Sequence, residues 1–263
     1  MAILDLNNKG IFLKILFDGY DFMQTQFGKM LVSPQIRTTV HATTYLPMLY
    51  SNAQQFIDYC LSTTQQYIPM QLTNKYKVGI YNLKDCFDEN NPWCNNEYIL
   101  FNRRCIKAIK NKVDINNISF YVCPSYNEHN EIEAIGFRVV NTESVLNSFK
   151  WLFTCGNNII YGKNTVRKNE PCYIVEGFRD YVALNELGYN VIGLGSVTIS
   201  KQQEEYIDGL NAPILLLDND SFGLKKTLQY KNKYRIATLV QTFEKDAYDT
   251  WIKYGKINIK EIA

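Results

Sequence analysis

The sequence predicts an α/β protein: a mixed α+β region over residues 1–170, then a domain built on a parallel sheet over residues 171–263. Three observations carry this reading. Two apolar runs, Tyr173–Val175 and Ile214–Leu217, each end abruptly in acid, at Glu176 and at Asp218-Asn219-Asp220. Short continuous apolar runs bounded by turn signals read as buried parallel strands. Helical patterns at Phe178–Leu187 and Ser200–Leu210 alternate with them, and upstream a β-rich run, a polar turn and a second run over Ser119–Val140 read as a hairpin.

Taken in order, Ile11–Phe17 fits an opening strand or a short helix. Ser33–Thr44 has the β-branched content of a strand, interrupted by Pro34. Ser51–Leu61 carries apolar residues at helical spacing behind a Ser51 or Asn52 cap. Asp, Asn, Pro92 and Trp93 make a loop between Lys84 and Glu97. In Asn102–Lys112 a helix would place Arg103, Lys107 and Lys110 on one face. That face is either solvated or a phosphate-contacting patch, since no acid interrupts it. The hairpin's first strand, Ser119–Cys123, is expected to end at Pro124. Its turn is Asn127–Asn130, and its second strand is Ile132–Val140. His129 falls in the turn and is expected to be exposed.

Lys163, Arg167 and Lys168 form a basic cluster before Asn169-Glu170-Pro171, where the domain junction is expected. Gly188 stops the helix after Glu176. Asn190–Gly193 is a second strand, and the Gly193-Leu194-Gly195 beyond it lacks the third glycine of a dinucleotide fingerprint. Ser200 with Gln203 makes a capping box. Arg235–Val240 supplies a fourth strand, and Asp246–Tyr254 a last helix closed by Gly255.

In an open α/β sheet the ligand crevice lies beyond the carboxyl ends of the strands. Glu176, Asp218 and Asp220 then share one rim if their strands are neighbours. Three hard oxygen donors suit Mg²⁺ or Mn²⁺, and carboxylates crowded without a cation repel one another. An EF-hand is rejected because Gln229 stands where its twelfth-position acid belongs. A phosphatase-type nucleophile leaves Glu176-Gly177 unexplained, and an acidic turn of purely structural purpose is the remaining rival. Asp180, one turn on, either faces the metal or complements the helix dipole. Asp246 and Asp249 share a helical face and either hold a second metal or cap the helix.

Composition sets the bounds. Hydrophobic residues at 46% support a real core, and a net charge of +2 confines any nucleic-acid contact to local patches. No apolar run reaches the ~18 residues of a membrane span, and the N-terminus lacks signal-peptide character. A cytoplasmic protein without membrane contact is expected. Seven cysteines without a Cys-x-x-Cys pair and two separated histidines point to reduced thiols and no zinc.

Several of these segments resemble one family. Val175-Glu176-Gly177-Phe178-Arg179-Asp180, then Gly195-Ser196-Val197-Thr198, Asp218-Asn219-Asp220-Ser221-Phe222-Gly223 and Lys245-Asp246 with Asp249-Thr250-Trp251 are similar, in order, to motifs of the TOPRIM domain in its bacterial and phage primase form. Ala134–Val139, Lys150–Phe153 and Ile160-Tyr161-Gly162 are similar to segments of the basic subdomain that precedes it in primase catalytic cores. The resemblance implies a Rossmann-like parallel sheet with flanking helices behind a basic α+β subdomain. It implies RNA primer synthesis on single-stranded DNA from ribonucleoside triphosphates, with Glu176, Asp218 and Asp220 catalytic. Metal would be held by these three with Asp180, Asp246 and Asp249, and phosphate contacts would fall to Arg138, Lys150, Lys163, Arg167 and Lys168.

The abundant Asn, Lys and Ile fit an AT-rich genome, in keeping with a phage replication system. The chain lacks a recognisable zinc-binding template reader and helicase-binding domain, so a replicative helicase or a separate template-recognition protein is an expected partner. A metal-dependent TOPRIM nuclease and a nonenzymatic nucleic-acid-binding factor are the competing readings. A topoisomerase is disfavoured, since no strand-breaking tyrosine domain is recognisable.

Overall fold

The computed structural model describes residues 21–25, 28–32, 53–61, 67–86, 88, 90–91, 118–140, 151–240 and 244–262. The readings at 11–17, 33–44 and 102–112, the Ser51 or Asn52 cap, Lys150 and much of the 84–97 loop lie outside these residues. Among the described residues, one compact unit draws on segments within 1–67, 78–122 and 137–154. The other draws on 68–77, 123–136 and 155–263.

In the first unit, β1 (Asp21–Thr25) and β2 (Gly28–Val32) pair antiparallel. Helix α1 (Ala53–Leu61) buries Ala53, Phe56, Ile57 and Cys60, the i, i+3, i+4, i+7 stripe that its sequence predicts. It lies so close to β3 (Gly79–Asn82) that a Cβ on Gly79 would stand 2.5 Å from the Cys60 carbonyl carbon. Phe56 meets Tyr81 edge-on at 5.3 Å and lies 6.1 Å from Phe137, an aromatic core on which this helix and sheet close.

β3 belongs to a four-stranded sheet, ordered β3-β4-β5-β6, with β4 at Ser119–Tyr126, β5 at Ile132–Val139 and β6 at Trp151–Phe153. The expected hairpin is present, but Pro124 does not end its first strand. Pairing with β3 stops at Val122, so a residue lacking an N–H at 124 breaks no bond on that side. The turn closes through Asn127 Oδ1, which accepts the N–H groups of His129 and Glu131, and His129 is exposed.

The second unit holds a five-stranded sheet, ordered β11-β10-β9-β7-β8. Its strands are β7 (Cys172–Val175), β8 (Val191–Gly193), β9 (Pro213–Leu216), β10 (Arg235–Leu239) and β11 (Ile259–Ile262). β8, β7, β9 and β10 run parallel, and β11 is antiparallel on β10. Helices α3 (Phe178–Glu186), α4 (Lys201–Asp208), α5 (Ser221–Tyr230) and α6 (Ala247–Tyr254) complete the alternation.

One face buries Cys172, Ile174, Ile192, Leu194, Leu215 and Ile236 with Ile207 of α4. Burial pushes the Cys172 thiol up to about 12, the mark of an inert core cysteine. Helix α3 covers the opposite face. A Cβ on Gly193 would come 2.9 Å from Gly177 O and 3.1 Å from Tyr181 Cβ, so helix and strand approach there only without a side chain. The capping box at Ser200 and Gln203 forms as expected. The Gln203 amide also donates to Ile159 O at 2.7 Å and Leu194 O at 2.9 Å, in the core. Helix α2 (Met70–Tyr76) joins this unit: Tyr76 Oη donates to Glu186 Oε1 at 2.6 Å and accepts from Asn185 Nδ2 at 2.8 Å. Among the described residues, no helix is long and apolar enough to cross a membrane.

Candidate functional site

The chain leaves β7 for β8 on one side, then returns to place β9 on the other side of β7. The direction of winding therefore switches between β7 and β9, and the crevice at such a point opens at the carboxyl ends of the strands. Val175 stands opposite Leu216 in the register, so Glu176 and Leu217-Asp218 leave the sheet side by side. The condition set by the sequence, that the two acid-ended strands be neighbours, is met.

Each acid on this rim is held differently. Asp218 is 8% exposed, and its Oδ2 lies 2.7 Å from the Lys245 ammonium. Burial raises its pKa, with the Lys245 hydrogen bond and charge opposing. Asp220 caps α5, its Oδ1 accepting the N–H groups of Phe222 at 3.0 Å and Gly223 at 2.8 Å. These bonds hold its carboxyl below the ordinary range, while its Oδ2 lies 3.7 Å from the same Lys245 ammonium. Gly223 is obligatory in this turn, since a Cβ there would stand 2.2 Å from Asp218 O. Glu176 is half-buried, and burial, followed by the negative charge of Asp218, pushes its carboxyl up to about 7.

Asp180 lies in the first turn of α3. It is buried, and its Oδ1 accepts the Tyr248 N–H at 3.1 Å, tying the start of α6 to α3. Burial, then the charges of Asp246 and Asp218, hold its pKa well above the usual carboxylate range. Asp246 caps α6, accepting the Asp249 N–H at 2.8 Å. Arg179 lies over the Tyr248 ring at 4.6 Å, with its guanidinium 3.9 Å from Asp246 Oδ2 and 3.8 Å from Asp249 Oδ1. These separations are too long for direct hydrogen bonds, so Arg179 acts as a shared counter-charge.

The structure thus brings Glu176, Asp218, Asp220, Asp180 and Asp246 into one electrostatically coupled group and sets two cations among them. Lys245 and Arg179 stand inside the motifs that resemble the TOPRIM domain, but sequence alone assigns neither a role. Among the described residues, no group of three or more His, Cys, Asp or Glu side chains is arranged to hold a metal ion. The chemistry of the donors nevertheless fits a hard divalent cation: burial first, then neighbouring negative charge, raises the pKa values of Glu176 and Asp218, and a cationic side chain already stands between Asp218 and Asp220.

The basic residues are dispersed. In the first unit, Arg138 on β5 lies over the Trp151 ring at 5.7 Å. Lys163 pairs with Glu133 Oε1 at 2.7 Å and covers the Tyr206 ring at 5.1 Å. Arg167 pairs with Glu170 at 2.7 Å and donates to Gly188 O at 3.0 Å, and its N–H meets the Asn190 side chain. Those partners lead into the amino ends of β7 and β8, a strand length of ~13 Å from the acidic rim. Lys168 is exposed beside it.

Comparison with known proteins follows the same lines. Residues 173–250 match the Toprim-like family, so the resemblance read from the acidic motifs holds for that stretch. Over 119 residues the chain is 34% identical to a DNA primase of Rickettsia prowazekii (strain Madrid E). The match covers 41% of this chain and 20% of that one, so the aligned part spans about a fifth of the relative's length. In fold the chain is similar to a DNA primase domain from Pseudomonas aeruginosa, with a TM-score of 0.52, 17% identity, and coverage of 80% of this chain and 75% of that one. It is also similar to the RNA polymerase domain of Mycobacterium tuberculosis primase in complex with double-stranded DNA. There the TM-score is 0.55 at 13% identity, covering 82% of this chain and 78% of that one.

Proposed function

We propose that this chain, similar in sequence to a DNA primase and in fold to primase catalytic domains, is a primase catalytic core that joins ribonucleotides into short RNA on single-stranded DNA. One observation carries the reading: Glu176, Asp218 and Asp220 stand at the carboxyl ends of neighbouring strands at the switch point of a parallel sheet, around a position already filled by a cationic side chain.

Glu176, Asp218 and Asp220 would hold Mg²⁺ or Mn²⁺. Such an ion supplies the charge that positions a triphosphate, acidifies the attacking 3′-hydroxyl and neutralises the leaving pyrophosphate. The protein's own groups keep this rim in shape. Asp220 is oriented by two backbone N–H groups, Asp180 joins the two helices that flank the rim, and Arg179 offsets the acids of α6. Template and nucleotide phosphates would be met by Arg138 and Lys150, since sequence-independent affinity for nucleic acid comes from fixed positive charge. Lys163 and Arg167 are engaged with Glu133 and Glu170, and we assign them a structural role first. The region before residue 171 would grip nucleic acid and the domain after it would perform the chemistry. A replicative helicase or template-recognition protein would choose the start site.

The test is incorporation of labelled ribonucleotides on single-stranded DNA with Mg²⁺ or Mn²⁺. Wild type is expected to give short RNA, and Asp218→Ala/Asp220→Ala to lose it by at least ~100-fold, the scale set by removing groups essential to transition-state charge. Metal-dependent breakdown of the template without nucleotides would replace this reading with a nuclease.

A further inference from the structure

Lys245 combines an anchored backbone with an exposed side chain. Its backbone is fixed: Lys245 O accepts the Asn219 N–H at 2.9 Å, strapping it to the loop after β9, and the next residue, Asp246, caps α6. Its side chain is 55% exposed. The ammonium lies 2.7 Å from Asp218 Oδ2 and 3.7 Å from Asp220 Oδ2. The other Asp220 oxygen is committed to the α5 cap.

An ammonium keeps its oxygens at hydrogen-bond distance, ~2.8 Å, whereas magnesium draws them to ~2.1 Å. An ammonium and a divalent ion therefore compete for the same space beside Asp218 Oδ2 and Asp220 Oδ2. The second cation of the site is set differently, since Arg179 is laid over the Tyr248 ring and faces Asp246 and Asp249.

We propose that Lys245 is a placeholder cation, whose ammonium occupies the space between Asp218 and Asp220 in the metal-free protein and must withdraw when a divalent ion enters. The proposal rests on the reading of the rim as a metal site and adds its regulation: the protein holds its acids together without metal at the expense of its affinity for the first ion. Lysine suits this role, as its charge sits on a flexible four-carbon stem and leaves without disturbing the backbone.

The experiment is calorimetric titration of Mn²⁺ into the intact chain without nucleotide or DNA, for wild type, Lys245→Met and Lys245→Arg. Removing the competing charge is expected to tighten Mn²⁺ binding in Lys245→Met by about tenfold, while Lys245→Arg, which keeps the charge, stays within about threefold of wild type. Metal-free Lys245→Met should also melt below wild type, with saturating Mn²⁺ closing the gap. Equal or weaker Mn²⁺ binding in Lys245→Met overturns the proposal, as does tightening of the same size in Lys245→Arg. A protein that meets these expectations yet makes no RNA loses the primase reading and keeps the placeholder. A wild type whose Mn²⁺ binding is absent, or indifferent to Asp218→Asn, loses both.

Discussion

At the scale of single residues, the rim is a set of acids kept under electrostatic load. Glu176 has its carboxyl raised from 4.5 to about 7, and Asp180, Asp218 and Asp246 are raised too, burial being the first cause in each case. A carboxyl whose folded pKa exceeds its unfolded value stabilises the fold while protonated and withdraws that support as pH rises through the folded value. The metal-free protein should therefore lose stability between about pH 4.5 and 7, with Glu176 contributing up to roughly 3 kcal/mol. Asp220, held down by the Gly223 N–H, acts in the opposite sense, but only as pH falls through and below 3.8. Thermal melts in chelator at pH 5.5 and 8 should show the higher Tm at pH 5.5, and Glu176→Gln should flatten the difference. A wild-type Tm that is level or higher at pH 8 would refute this balance of charges. Asp220 offers a second separation of roles. Asp220→Asn keeps a capping oxygen and should cost under ~0.5 kcal/mol in denaturant unfolding, whereas Asp220→Ala should cost about 1 kcal/mol. Both should lose primer synthesis, because neither returns the carboxylate charge.

At the scale of elements, legibility followed the range of the interaction that creates each one. The strand ends at Val175 and Leu216, the stop at Gly188, the capping box at Ser200 and the stripe of α1 are written in local pattern and stand within a residue or two of where the sequence puts them. Helix α5 was not read as a helix, and the reason is physical: it buries only Gly223 and leaves Phe222, Leu224 and Leu228 more than half exposed, so no apolar period marks it. Strand β11, mostly exposed at the sheet edge, is silent for the same reason. Pairings between distant residues are invisible in any window of sequence. Asp180 meets Tyr248 across 68 residues, and Tyr76 meets Glu186 across 110. Gln203 combines both kinds, a legible cap and two illegible core bonds. Gln203→Ala is accordingly expected to cost about 2–3 kcal/mol in denaturant unfolding of the whole chain, more than a cap alone. A loss of 1 kcal/mol or less would mean that the bonds to Ile159 and Leu194 add nothing.

At the scale of the whole molecule, the proposed function assigns chemistry to the acids at the switch point and phosphate contact to basic groups. The acids are legible because Glu176 and Asp218 each close a short apolar run. The basic residues are legible as charges, whereas their partners are not, since Arg167 pairs with Glu170 and donates to Gly188 O at the amino end of β7. The division makes a sharp demand: chemistry and nucleic-acid affinity should be separable in one protein. The most direct measurement takes a single preparation of wild type and of Asp218→Asn/Asp220→Asn and assays both ribonucleotide joining and single-stranded DNA binding by fluorescence anisotropy. If the proposed division holds, the variant makes no RNA while binding DNA within about threefold of wild type, since sequence-independent affinity for nucleic acid comes from fixed positive charge. A variant that still joins ribonucleotides, or one that loses DNA binding together with synthesis, would contradict it.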